Sequence, residues 1–194
     1  MTFYRRRLPH WHPENRPVFL TWSLRGSLPP GRAFPPNTVT SGQAFVAMDR
    51  LLDGARKGPL WLKRPELARV VVDSILHCAD PLRKYEIHAF VVMANHVHLL
   101  VTPLITVPEL TRSLKAFTAR KVNELLERTG EPLWQEETYD HWVRDDREFE
   151  RIRSYIEDNP VRAGLVATPE DYPWSSCMAV LANRQPGSSP ALLN

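Results

Sequence analysis

Cysteine is scarce: Cys78 and Cys177 are the two in 194 residues, far apart and in no CxxC arrangement. That excludes a disulfide framework and a zinc ribbon, and leaves two ordinary reduced thiols. Long apolar runs are missing too. No stretch approaches the roughly 20 residues that span a bilayer. Met1–Arg7 leads into Leu8-Pro9-His10-Trp11 without the apolar segment of a signal peptide. The expectation is a cytoplasmic protein with no membrane partner. Charge of one sign is also in short supply. Lys and Arg number 25 against 22 Asp and Glu, a net +3, with a pI near 9.0. The usual footprint of a nucleic-acid binder is more strongly basic.

What is present suits one domain with peripheral decoration. A composition of 43% apolar and 24% charged residues is that of a globular chain. The 18 prolines gather toward the two ends and argue for extended, surface-hugging segments there. Basic residues are grouped: Arg5, Arg6 and Arg7 form a run, and Arg112, Lys115, Arg120 and Lys121 share one predicted helix. Each group reads either as a solvated face or as a phosphate contact.

Hydrophobic periodicity gives the order of elements. Residues 17–24 read as a strand ending at the turn signal Arg25-Gly26-Ser27, and Pro29 to Pro36 as a loop. A helix is expected over 41–56, with Ser41 as its cap, and a second over 65–79 opening on Pro65. Residues 84–93 and 96–102 read as strands joined tightly at Ala94-Asn95, a hairpin in the middle of the sheet. Residues 107–128 read as a long helix with Leu110, Leu114, Phe117, Leu125 and Leu126 on its apolar face and Gly130 as its stop. A strand over 138–144 and a helix over 146–159, stopped by Asn159-Pro160, complete the set. The expected class is α+β: a central antiparallel sheet with helices packed on one face. Residues 1–166 form the domain, and 167–194 a tail draped over it and disordered after about Asn183.

The chemistry lies in His96-Val97-His98. Side chains on a strand alternate, so both imidazoles face one side while Val97, Leu99 and Val101 face the other. Such residues lie roughly 7 Å apart at Cα, within reach of one metal ion. The plainer reading is a polar pair on a solvent face, but histidines on an apolar central strand are costly without partners. A metallo-β-lactamase-like site would want HxHxDH, where Leu99 and Leu100 stand. A histidine-triad hydrolase would want His at position 100, and a two-histidine phosphoesterase a second HxT/S, which His88-Ala89-Phe90 does not supply. The last helix offers a third ligand. Against the stripe Phe149, Ile152 and Ile156, Tyr155 and Asn159 fall together on one flank, one turn apart. They read as a nucleophile and a ligand, or as a boundary tyrosine and a helix C-cap.

Larger motifs narrow the choice. VVMANHVHLLV (91–101) resembles the core of HUH single-tyrosine transposases, in which two histidines alternate with bulky apolar residues. YIEDNPVRAGLV (155–166) with DYPWSS (171–176) resembles REP-associated tyrosine transposases, relatives of the IS200-like insertion-sequence enzymes. RRRLPHW (5–11), SLRGSLP (23–29) and LKAFTARKVN (114–123) look like the same family's opening and long helix. The resemblance implies a ferredoxin-like HUH sandwich. It implies that His96, His98 and Asn159 hold Mg²⁺ or Mn²⁺, with no small-molecule cofactor. It implies that Tyr155 cleaves and rejoins single-stranded DNA at REP-type hairpins through a 5′-phosphotyrosine link. Ala94 departs from the family, which often has proline there.

For DNA the expected contacts are Arg5, Arg6, Arg7, Arg112, Lys115 and Arg120, with Trp11, Trp134, Trp142 and His141 as candidates for base stacking. The partner implied is single-stranded or hairpin DNA, bound by a monomer, a dimer being the alternative, in the cytoplasm at the nucleoid. Two other functions compete: a catalytically silent hairpin-binding protein, and a metal-dependent phosphodiesterase that uses water.

Overall fold

The computed structural model describes residues 16–27, 52 and 58–178. Arg5, Arg6, Arg7, Trp11, the helix expected over 41–56 (apart from Leu52) and the chain beyond residue 178 lie outside the described residues.

Four strands form one antiparallel sheet in the order β2-β3-β1-β4. They are β1 (Val18–Ser23), β2 (Tyr85–Val92), β3 (His96–Pro103) and β4 (Tyr139–Trp142). Helices α1 (Pro65–Ala79), α2 (Val107–Leu125) and α3 (Asp146–Glu157) cover it, and a single turn, α4 (Asn159–Arg162), follows α3. The hairpin expected at Ala94-Asn95 is present, closed by Met93 N–H donating to the His96 carbonyl at 2.8 Å. Its strand β2, however, is at one end of the sheet; β3 and β1 are the central pair.

Helices pack on both faces, which corrects the one-face expectation. Alternation on the central strands sets this up. Val18, Leu20 and Trp22 of β1 and Val97, Leu99 and Val101 of β3 face a core completed by Leu67, Val71 and Ile75 of α1 and Leu110, Leu114 and Val122 of α2. Phe19 and Leu100 face the other way, into a smaller core with Ile152 and Ile156 of α3. A central strand with no solvent face cannot show the apolar-polar alternation of a one-sided sheet. All six residues of β1 are buried accordingly.

β2 changes phase along its length. Ile87 pairs with Val101 and Ala89 with Leu100, so His88 is the extra residue of a bulge. Before it Tyr85 and Ile87 face the larger core; after it Phe90 and Val92 do. The free edge of β2 is covered by the segment Tyr172–Ser176. Val92 N–H donates to the Trp174 carbonyl at 2.8 Å, Phe90 N–H to Ser176 Oγ at 3.1 Å, and Tyr172 Oη to the Val92 carbonyl at 2.9 Å. An edge paired in this way offers no template to another strand.

Helix ends show where local rules held. α1 begins at Pro65, as expected. α2 begins under Thr106, whose hydroxyl accepts from Glu109 N–H. Its buried stripe is Leu110, Leu114, Thr118 and Val122, whereas Phe117 (44%) and Leu125 (48%) are exposed. It ends at Leu125, short of Gly130, because Glu127 takes a left-handed conformation at φ 56°. α3 is capped by Asp145, which accepts from Glu148 N–H at 2.8 Å. Proline has no N–H and interrupts α3; yet right-handed dihedrals at Asp158 (φ −79°, ψ −8°) let the chain resume one helical turn at Asn159.

Candidate active site

His96 and His98 lie on the α3 face of β3, both fully buried at 0% exposure, with ring centroids 4.7 Å apart. Each ring is held through Nδ1. Asn95 Oδ1 lies 2.7 Å from His96 Nδ1. Asn95 Nδ2 donates to the Leu52 carbonyl at 3.0 Å, which fixes the orientation of the amide. Its oxygen therefore accepts, His96 Nδ1 carries the proton, and the lone pair is at Nε2. His98 Nδ1 lies 2.8 Å from Thr21 Oγ1. Thr21 stands directly opposite His98 in the β1–β3 register.

The helix run supplies the other two groups. The Tyr155 ring makes T-shaped contacts with His98, centroids 5.8 Å apart, and with Phe19 at 6.4 Å. Phe19 also packs on His98 at 5.6 Å and on Tyr139 at 6.2 Å, so one aromatic ring of β1 positions both the histidine and the tyrosine. Asn159 is 1% exposed, one turn beyond Tyr155. The C-cap of α3 is Asp158, not Asn159. The side-chain atoms His96 Nε2, His98 Nε2, Tyr155 Oη and Asn159 Oδ1 are all shielded from solvent.

Two imidazole nitrogens and an amide oxygen, all buried, are donors suited to a divalent cation. Imidazole favours transition metals such as Mn²⁺ over Mg²⁺. Among the described residues no group of three His, Cys, Asp or Glu is placed to hold a metal ion, so a third ligand drawn from them would be an amide, carbonyl or hydroxyl. The carboxamide of Asn159 meets that requirement.

The other expected contacts are placed elsewhere. Lys115 Nζ donates to the carbonyls of Gln135 and Glu136 at 2.7 and 2.8 Å and to Thr138 Oγ1 at 3.2 Å, pinning the approach to β4. Arg112 and Arg120 are exposed on α2, across the sheet from the histidines; Arg120 stacks on Phe117 at 5.5 Å. Trp134 is core, its Nε1 donating to Thr118 Oγ1 at 2.9 Å, and Trp142 is partly buried against the same core. His141 stands opposite Phe19 in the register, and its Nε2 lies 3.2 Å from Glu148 Oε1 instead of reaching the histidine pair. Burial disfavours the Glu148 carboxylate. The Arg144 N–H, His141 and the Arg144 charge outweigh that and hold its pKa below the usual carboxylate value.

Sequence reasoning missed Thr21, Asn95, Phe19 and Arg162. The first and third depend on a strand register between distant segments, which no local pattern reveals. Arg162, whose guanidinium lies 4.8 Å over the Tyr155 ring, was within reach. It stands seven residues on, two helical turns, but the proline seemed to end the helix.

An antiparallel sheet with a buried His-x-His pair facing a helix-borne tyrosine is the arrangement anticipated for single-tyrosine HUH transposases. Residues 66–159, which include His96, His98, Tyr155 and Asn159, match the family model "Transposase IS200 like". Two curated relatives are REP-associated tyrosine transposases. The one assigned in Haemophilus influenzae is 29% identical, over 47% of this chain and 58% of that protein. That of Escherichia coli is 27% identical, over 48% and 55%. The chain thus spans somewhat over half the length of these relatives. The solved structure of a REP-associated tyrosine transposase bound to a REP hairpin has the same fold. It superposes with a TM-score of 0.57 over 100% of this chain and 95% of that one, at 19% identity.

Proposed function

We propose that this protein is a metal-dependent strand transferase that cuts and rejoins single-stranded DNA beside REP-type hairpins, with Tyr155 as its nucleophile. The observation that carries the reading is the buried His96–His98 pair with the Tyr155 ring packed against it and Asn159 buried one turn further along the chain. A protein that only bound hairpins would need none of the four there. The family match and the two curated relatives support the same conclusion, and a REP hairpin is what the solved relative binds.

The chain's residues divide the work. His96 and His98 through Nε2, and Asn159 through Oδ1, would hold Mg²⁺ or Mn²⁺. Such an ion would neutralise charge developing on the phosphate. Asn95 and Thr21 keep the imidazoles oriented. Phe19 holds the Tyr155 ring against His98, so that its oxygen meets the phosphorus from a fixed direction. Attack forms a bond from Tyr155 Oη to phosphorus and breaks the bond to the 3′ oxygen, leaving a 5′-phosphotyrosine and a 3′-hydroxyl. The energy of the broken bond is kept in the adduct, so the hydroxyl can reverse the step and join strands.

The test is to incubate the full chain with hairpin-bearing single strands and Mn²⁺ and look for a covalent band on a denaturing gel. The band is expected from the wild type and not from Tyr155→Phe. A band that survives the substitution would assign the nucleophile elsewhere. Cleavage without an adduct would make the protein a phosphodiesterase using water, and binding without cleavage a silent hairpin binder. His96→Ala should abolish cleavage while sparing much of the DNA affinity.

A further inference from the structure

We propose that Arg162 is a substrate-binding residue: its guanidinium, stacked on the Tyr155 ring, grips a backbone phosphate of the single strand next to the one under attack. The proposal rests on the reading of Tyr155 as the nucleophile, and names a DNA contact of that same site.

Three observations carry it. The guanidinium lies 4.8 Å over the centroid of the Tyr155 ring. A stacked guanidinium gives its flat face to the ring and keeps its N–H donors around the edge, in the planar fork that suits a phosphate. Second, Arg162 is exposed, so those donors are reachable from outside while the tyrosine oxygen beneath is shielded. Third, three arginines in and beside α3 are already engaged. Arg151, one turn before Tyr155, lies 3.1 Å from Glu148, Arg144 lies 3.7 Å from it, and Arg153 lies 2.6 Å from Glu150. Among the described residues Arg162 pairs with no carboxylate. A cation beside a nucleophile, held only by a ring face, is arranged for an anion that arrives with the substrate.

Local backbone geometry makes the placement firm. Arg162 N–H donates to the Asp158 carbonyl at 2.9 Å, and Ala163 N–H to Asn159 at 3.0 Å. The turn that carries Arg162 is therefore tied to the end of the helix that carries Tyr155.

The experiment measures binding, not cleavage. A fluorescein-labelled single strand with one stem-loop and unpaired thymidine flanks is titrated with the full chain in EDTA, at several concentrations of monovalent salt. One lost phosphate contact lowers the slope of log K against log salt by about 0.7 for a single strand. Arg162→Gln should show that reduction and weaker binding, and Arg162→Lys should restore the slope, since it keeps the charge. Arg151→Gln should change the slope less, because that charge is shared with Glu148. A slope for Arg162→Gln equal to that of the wild type overturns the proposal. No binding by the wild type at any salt overturns it together with the reading beneath it. A reduced slope in a protein that forms no adduct would instead retain Arg162 as a DNA contact and discard Tyr155 as nucleophile. The stack itself is checked by the Arg162 Nε–H resonance, whose ring-current shift should vanish in Tyr155→Leu and persist in Tyr155→Phe.

Discussion

At the scale of single residues, the site depends on which ring nitrogen carries a proton. Asn95 settles this for His96, because its amide oxygen can only accept. Replacing it by alanine removes the partner that keeps the Nε2 lone pair directed at a metal. Losses of this kind cost about 10- to 100-fold in metal affinity. Asn95→Ala should show that drop for Mn²⁺ by isothermal titration calorimetry, and unchanged affinity would sink the tautomer argument. A second residue-scale expectation concerns His88. Burial holds its pKa below the ordinary 6.5 in the folded chain. The unfolded chain therefore takes up a proton first as pH falls. Stability is full above about pH 6.5 and declines below it, toward the lower folded value. Denaturant midpoints should fall across that window, and His88→Gln should flatten the fall.

At the scale of elements, the sequence was most legible where a local rule decided the outcome. Pro65 opens α1 and Val107 opens α2, each where the pattern placed it. It was least legible where packing decided. Phe117 and Leu125 looked like core by spacing, but α2 presents the Leu110–Leu114–Val122 side to the sheet. Glu127, a non-glycine in a left-handed conformation, stopped that helix before the glycine that seemed to do so. The bulge at His88 is invisible in a strand that is apolar on both faces. For the site, the shared side of His96 and His98 followed from alternation alone. Thr21 and Phe19 did not, because they belong to another strand 77 residues away in the case of Thr21 and His98. The covered edge of β2 yields its own prediction. Tyr172→Phe removes the hydroxyl that donates to the Val92 carbonyl. It should cost about 1 kcal/mol in equilibrium unfolding. Ending the chain before Tyr172 should bare the edge and promote self-association, seen as earlier elution in size exclusion.

At the scale of the whole molecule, the sheet divides the protein into two sides with different employment. The larger core with α1 and α2 lies on one side; the buried histidines, Tyr155 and Arg162 lie on the other. No described helix is long and apolar enough to cross a membrane. Arg112 and Arg120 of α2 are exposed on the side of the sheet opposite the histidines. Removing both charges in Arg112→Ala/Arg120→Ala should leave the cleavage rate at saturating DNA within about twofold, whereas Arg162→Gln should weaken binding at every salt concentration tested. A large loss of cleavage in the double variant would mean that DNA wraps both sides of the sheet.

Strand β3 belongs to both sides at once, because its neighbours in sequence point in opposite directions. In a saturation-mutagenesis screen that scores cellular abundance and strand transfer separately, this strand should give two interleaved records. Polar substitutions at Val97, Leu99 and Val101 should deplete the protein itself, and those at His96 and His98 should leave it abundant and inert. Two selective pressures would then be readable as odd and even numbers along the four consecutive codons 96 to 99.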